Sequence, residues 1–167
     1  MYRSMMDNWR GLRCFGLGLF LAILFFATPL RAGEIDELIE KLPRAYVGEF
    51  LWDGDKTVQN VVLTLEAVRA LNDRNAEALG CGSYQVNRQV TMIRIRMLVR
   101  LPDLTTEIME LSPQGSGSFE TDGSHRGHLS KDLQRIDAQW TTRTSGQRGQ
   151  LQLRASPSAV CAPASSL

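Results

Sequence analysis

The sequence predicts an all-β protein, an antiparallel meander closed into a small eight-stranded barrel with one short N-terminal helix. Three observations point there. After Pro43, apolar and polar residues alternate in short runs, most clearly over Val90 to Arg100, where Ile93, Ile95, Met97 and Val99 interleave with Arg94, Arg96, Leu98 and Arg100. Turn residues such as Asp53-Gly54-Asp55, Leu101-Pro102-Asp103 and Asp122-Gly123 punctuate the runs. A meander of eight or nine strands leaves two open edges unless it closes on itself, and a barrel removes both.

Residues 1–32 read as a secretory signal: basic Arg3, Arg10 and Arg13, an apolar stretch from Cys14 to Ala27, then Thr28-Pro29-Leu30-Arg31-Ala32. The apolar stretch is about 14 residues, against about 20 for a helix that crosses a bilayer, so cleavage after Ala32 is expected rather than a retained anchor. No stable membrane span is then expected in the processed chain. The expected organisation is a signal peptide at 1–32, one β-barrel domain at 33–154 and a flexible C-terminal tail at 155–167, rich in Ala, Ser and Pro.

The elements follow in order. Ile35, Leu38, Ile39 and Leu42 recur at helical spacing, with acids early and Lys41 late, and Pro43 stops the helix. Ala45 to Trp52 is the first strand, and Thr57 to about Ala67 is the second, with Val61, Leu63 and Leu65 on one face. Leu65 to Leu79 carries residues that also favour a helix; the reading adopted ends the strand and places an irregular loop through Asn72-Asp73-Arg74-Asn75. Gly80 to Val86 resumes as strand, Val90 to Arg100 follows, and Leu104 to Leu111 returns.

Setting Arg94 opposite Glu110, Ile95 opposite Met109 and Ile93 opposite Leu111 gives that hairpin an outer ion pair and turns Glu107 inward. Ser118 to Thr121 and His125 to Ser130 flank the Asp122-Gly123 hairpin signal. Leu133 to Thr142 puts Ile136, Ala138 and Trp140 on one face, and Gly149 to Arg154 closes the set with Leu151 and Leu153 inward.

With Arg3, Arg10, Arg13, Arg31 and Asp7 removed from 19 basic and 18 acidic residues, the mature chain has a net charge of −2. Nucleic acid is therefore not expected as a partner, since phosphate binding needs a basic excess. Cys81 and Cys161 survive maturation, and an even number in an oxidising compartment predicts one disulfide.

The short helix, Gly48 two before Phe50, the meander, the Gly127 to Leu129 strand and the strand carrying Trp140 resemble small secreted calycin-type, lipocalin-like barrels over roughly residues 33–154. Phe50 stands where the lipocalin branch carries tryptophan. The resemblance implies a β-barrel with an internal pocket for a hydrophobic ligand.

Candidate chemistry is sparse. His125 and His128, near Asp122 and Asp132, are metal-ligand types, but three residues apart on a strand they point to opposite faces, so no metal is expected. Neither Gly82-Ser83 nor Gly115-Ser116-Gly117 has the Gly-x-Ser-x-Gly spacing of a nucleophile elbow, and Glu107, Glu110 and Glu120 cannot be set at a catalytic separation. No nucleotide motif is present and no cofactor is expected.

Two surfaces remain. Tyr46, Phe50, Tyr84, Glu107 and Trp140 are candidates for lining a pocket, with core filling as their other role. Arg94, Arg96 and Arg100 form a stripe suited to an acidic partner or to simple solvation.

The expected function is that of a non-enzymatic periplasmic or secreted protein binding a small molecule or an envelope protein. A second reading is an inhibitor or envelope-maintenance factor acting through Leu71 to Leu79 and Ser112 to Gly117. A hydrolase ranks third.

Overall fold

The computed structural model describes residues 33–111, 122–158 and 160–161. Helix α1 (Gly33–Lys41) precedes eight strands: β1 (Ala45–Trp52), β2 (Gln59–Ala70), β3 (Asn75–Val86), β4 (Gln89–Arg100), β5 (Thr105–Leu111), β6 (Gly123–Leu129), β7 (Arg135–Thr142) and β8 (Arg148–Ala155). Each strand pairs antiparallel with the next, and β8 returns to β1, closing the barrel. The closing ladder runs from Tyr46 opposite Ala155 to Trp52 opposite Gly149. It is tight: a Cβ on Gly48 would sit 1.9 Å from the Gln152 carbonyl oxygen, so only glycine admits that approach of β8.

Alternation places the core. Val61, Leu63 and Leu65 of β2, Ile93, Ile95, Met97 and Val99 of β4, Ile136, Ala138 and Trp140 of β7, and Leu151 and Leu153 of β8 are all buried inside the barrel. At one end α1 lies against β2 and β3 and lowers Ile35 and Leu38 into this core, with Leu42 just after it. Glu34 and Asp36 in its first turn and Lys41 in its last complement the helix dipole. Partly buried Leu101, Leu104 and Leu133 from the turns complete the closure.

Two expectations are corrected. Residues 65–79 are strand on both sides of a turn at Leu71 to Arg74: β2 continues to Ala70 and β3 begins at Asn75. The cause is a bulge at Glu66, where the register passes from Leu65 opposite Gly80 to Ala67 opposite Leu79. The extra residue breaks the period of two and leaves inward residues three apart, which imitates helical spacing. The loop expected over Leu71 to Leu79 is thus a short turn plus the start of β3.

The β4–β5 register is also one residue from the expected one: Ile95 faces Glu110, Arg96 faces Met109 and Leu98 faces Glu107. Leu104, at φ 56°, belongs to the turn rather than to the strand, so the loop holds four residues between Arg100 and Thr105. A slip of one exchanges the two faces. Glu107 therefore points outward, Glu110 points inward, and the expected Arg94–Glu110 pair does not form. β6 pairs with β5 on one side and β7 on the other; the sequence also placed a strand at Ser118 to Thr121. Those residues, Ser112 to Gly117 and the expected signal peptide at 1–32 lie outside the described residues.

Beyond β8 the chain doubles back over the outer face of β2 and β3. Ser156 donates to the Ala45 carbonyl at 3.0 Å, and the backbone N–H of Cys161 donates to Thr64 Oγ1 at 3.0 Å. Cys161 is buried and bonded to Cys81, with Cα atoms 6.1 Å apart. In the chain-entropy view this closure stabilises the fold by about 4 to 5 kcal/mol. Non-reducing peptide mapping is expected to yield a single Cys81–Cys161 species, and Cys161→Ser to lower unfolding free energy by about that amount in denaturant titration.

Candidate functional site

The candidate site lies at the end of the barrel opposite α1. There the ends of β1 to β7 surround a cavity of ≈ 250 Å³ whose walls include Phe50, Trp52, Thr91, Glu110, His125 and Trp140. Alternation brings these side chains to one place: Ile108 and Glu110 share the inner face of β5, and His125 lies between Ile108 and Trp140 on the neighbouring strands.

A polar knot sits in this otherwise aromatic wall. Glu110 Oε1 accepts from the Tyr84 hydroxyl and is 2.9 Å from His125 Nε2, while Tyr84 Oη is 3.1 Å from the same nitrogen. All three side chains are buried, His125 to 1% exposure. A carboxylate here is tolerated because both neighbours satisfy it; unpaired, it would cost several kcal/mol. Burial, followed by the charge and hydrogen bond of Glu110, raises the Tyr84 phenol well above its ordinary range.

Aromatic edges frame the knot. Phe50 meets Trp52, Tyr84 and His125 edge to face, with centroids at 4.9, 6.0 and 5.6 Å, and Trp52 meets Trp140 in the same way at 4.8 Å. Such contacts contribute about 0.5–1.5 kcal/mol each beyond area burial. Gly149 makes room for this packing, since a Cβ there would lie 2.3 Å from Phe50 Cζ. Two buried atoms in the wall, His125 Nδ1 and Trp140 Nε1, have no hydrogen-bond partner. More than nine in ten buried polar groups in proteins are satisfied, so two orphans beside one cavity depart from the usual pattern.

Of the expected pocket residues, Phe50, Tyr84 and Trp140 meet at this cavity. Tyr46 does not line it; it is buried nearer α1, where its hydroxyl donates to the Leu133 carbonyl at 2.9 Å. Glu107 is outside, 3.0 Å from Arg126. Burial pushes the Glu107 carboxyl up, but Arg126, Ser124 and Arg100 outweigh that and hold it below the usual range. Glu110 and His125 were missed as pocket residues; Trp52, one of the aromatics the sequence offered for a pocket or a core, also lines the cavity. For His125 the signal was present, because it alternates with Gly127 and Leu129; for Glu110 it was not, because β5 has apolar residues on both faces.

The arginine stripe is largely occupied. Arg94 forms a two-pronged pair with Glu66 at 2.9 and 2.8 Å. Arg96 and Arg69 converge on Glu77, at 2.6 and 2.8 Å, and hold its carboxyl below the ordinary range. Arg100 lines an outer groove with Arg126, His128 and Glu107. Ser83 faces outward opposite Met92, so it cannot reach the inward His125 as a nucleophile would. His125 and His128 take opposite faces, and no group of metal-ligating side chains occurs among the described residues.

In comparisons with known proteins, no family model and no curated protein matches the chain.

Burial also raises the Tyr46 phenol. Both phenols keep their protons in the folded state where the unfolded chain, near 10.0, would release them. Stability is therefore intact below about pH 10 and falls as pH rises past it. Followed by ultraviolet absorbance and circular dichroism together, phenolate formation is expected to coincide with unfolding; a phenolate titration near pH 10 with the barrel intact would contradict the buried placement.

Proposed function

We propose that this protein works outside the cytoplasm as a non-enzymatic binding protein that holds one small, flat molecule in the mouth of its barrel. The observation that carries the reading is the ≈ 250 Å³ cavity itself, walled by Phe50, Trp52 and Trp140 beside the buried Tyr84–Glu110–His125 knot. That volume corresponds to about eight waters at roughly 30 Å³ each, room for a single ring with small substituents and too little for a long acyl chain. The aromatic wall supplies apolar contact, and the polar side chains of Gln59, Thr91 and Glu110 in its lining supply orientation, the usual division of labour in a small-molecule site. The Cys81–Cys161 disulfide and the signal-like leader both favour an oxidising extracytoplasmic compartment.

Partner capture by the arginine stripe has less behind it, since Arg94 and Arg96 are already committed to Glu66 and Glu77.

Thermal melting against a panel of single-ring aromatic compounds is expected to find members that raise the midpoint by several degrees. Saturation at a hundred times Kd corresponds to about 2.7 kcal/mol. Thr91→Trp, which fills the mouth from β4, removes the shift, and a long-chain fatty acid produces none; equal shifts in the wild type and this variant count against the mouth as the site. Protein recovered from an extracytoplasmic fraction is expected to begin at Gly33, and recovery only in the cytoplasm with the leader attached contradicts the compartment.

A further inference from the structure

We infer that the outer face of β4, β5 and β6 carries a second binding site, a groove that takes a phosphate-type oxyanion between Arg100, Arg126 and His128. The site is distinct from the mouth and does not depend on it. The groove, of ≈ 530 Å³, has Arg100, Thr105, Glu107, Arg126 and His128 in its lining. Strand register brings them together. Arg100 stands opposite Thr105, and Thr105 opposite His128; one rung nearer the mouth, Leu98 stands opposite Glu107, and Glu107 opposite Arg126. The residues that alternate with them, Val99, Thr106, Ile108, His125 and Leu129, are buried in the barrel, so both rungs face outward. Arg100 and His128 flank β5 from its two sides, with Cα atoms about 10 Å apart, or two strand spacings, and an anion lying over β5 is within reach of both.

The groove holds positive charge that the fold does not use. Arg94 and Arg96 are committed to Glu66 and Glu77, whereas the Arg100 guanidinium has no hydrogen bond or ion pair with any described residue. Arg126 gives Glu107 only its Nε, at 3.0 Å, and its side chain is 73% exposed with both terminal nitrogens available. Glu107 is the one acid in the lining, and it is drawn away from Arg100: its Oε1 also accepts from Ser124 Oγ at 3.2 Å, a further rung toward the mouth. Asp103 accepts from the Thr105 hydroxyl and Asp137 stands opposite His128 on β7, both outside the lining. Two arginines against one glutamate leave the lining at +1 before His128 is counted. Guanidinium forks match the oxygens of carboxylate and phosphate alike. Donors that arrive from β4 on one side and β6 on the other favour a tetrahedral group, which offers oxygens in several directions where a carboxylate offers two in one plane.

Inorganic phosphate and acetate, titrated into the disulfide-bonded mature protein at constant ionic strength and followed by amide chemical shifts, test the site. Phosphate is expected to give saturable shifts centred on Arg100, Thr105 and His128, with acetate binding about tenfold more weakly. Arg100→Gln and Arg126→Gln are each expected to weaken phosphate about tenfold, the ratio that one charge-assisted hydrogen bond provides. Arg94→Gln, at a paired arginine outside the groove, is expected to change nothing. Glycerol phosphate and vesicles containing phosphatidate separate the two sources of such a group: retention on vesicles that Arg100→Gln abolishes assigns a lipid headgroup, and binding of glycerol phosphate alone assigns a soluble ester. Acetate binding as well as phosphate overturns the tetrahedral selection. A loss in Arg94→Gln equal to that in Arg100→Gln means diffuse attraction to the whole face and overturns the site, as does the absence of saturable shifts.

Discussion

The ladder between β1 and β8 is the constraint on which the rest of this structure depends. Without it the meander is an open sheet with two exposed edges; with it, every strand has two neighbours and the inner face becomes an interior. The ladder also sets the mouth, because Phe50 and Trp52 are its residues opposite Leu151 and Gly149. Their rings reach across the end of the barrel to Tyr84, His125 and Trp140 from strands that are remote in sequence. Gly48 and Gly149 matter for the same reason, one admitting the backbone of β8 and the other admitting a ring.

The two ends of the barrel solve different problems. At the α1 end aliphatic side chains from the helix and the turns fill the interior, and Tyr46 spends its hydroxyl on a backbone carbonyl. At the mouth the interior includes a carboxylate, an imidazole and a phenol, which a hydrophobic filling of equal volume could replace at little or no loss of stability. Their mutual hydrogen bonds make the knot tolerable without making it the best use of the space for folding alone. Polar groups retained where packing would do as well are the physical ground for proposing this end as the ligand site.

The outer face carries a structural charge pattern. Glu66, Glu77 and Glu107 each meet an arginine from another strand, and two of these acids are displaced from simple expectation by the bulge in β2 and the turn after β4. Cys161 is buried against the same face, fastening the chain beyond β8 to β3. The result is a shell tied between strands by ion pairs and one covalent bond, with little of the arginine stripe left over for a partner.

Period-two alternation is a local property, so β1, β4, β7 and β8, the helix before Pro43 and the even pair of cysteines could all be read from neighbouring residues. The barrel as an all-β closed meander followed from them. Alternation says which residues share a face but not which face is the interior when both are apolar, as in β5, and it fails where an extra residue enters, as at Glu66. A left-handed Leu104 in the turn, unmarked by glycine or asparagine, then decided that Glu110 rather than Glu107 faces inward. The sequence alone determined the class, the helix and most strand positions because those depend on spacing along the chain. Only the tertiary structure decided the register, and with it the meeting of Tyr84, Glu110 and His125, because one residue of slip reverses every side chain that follows.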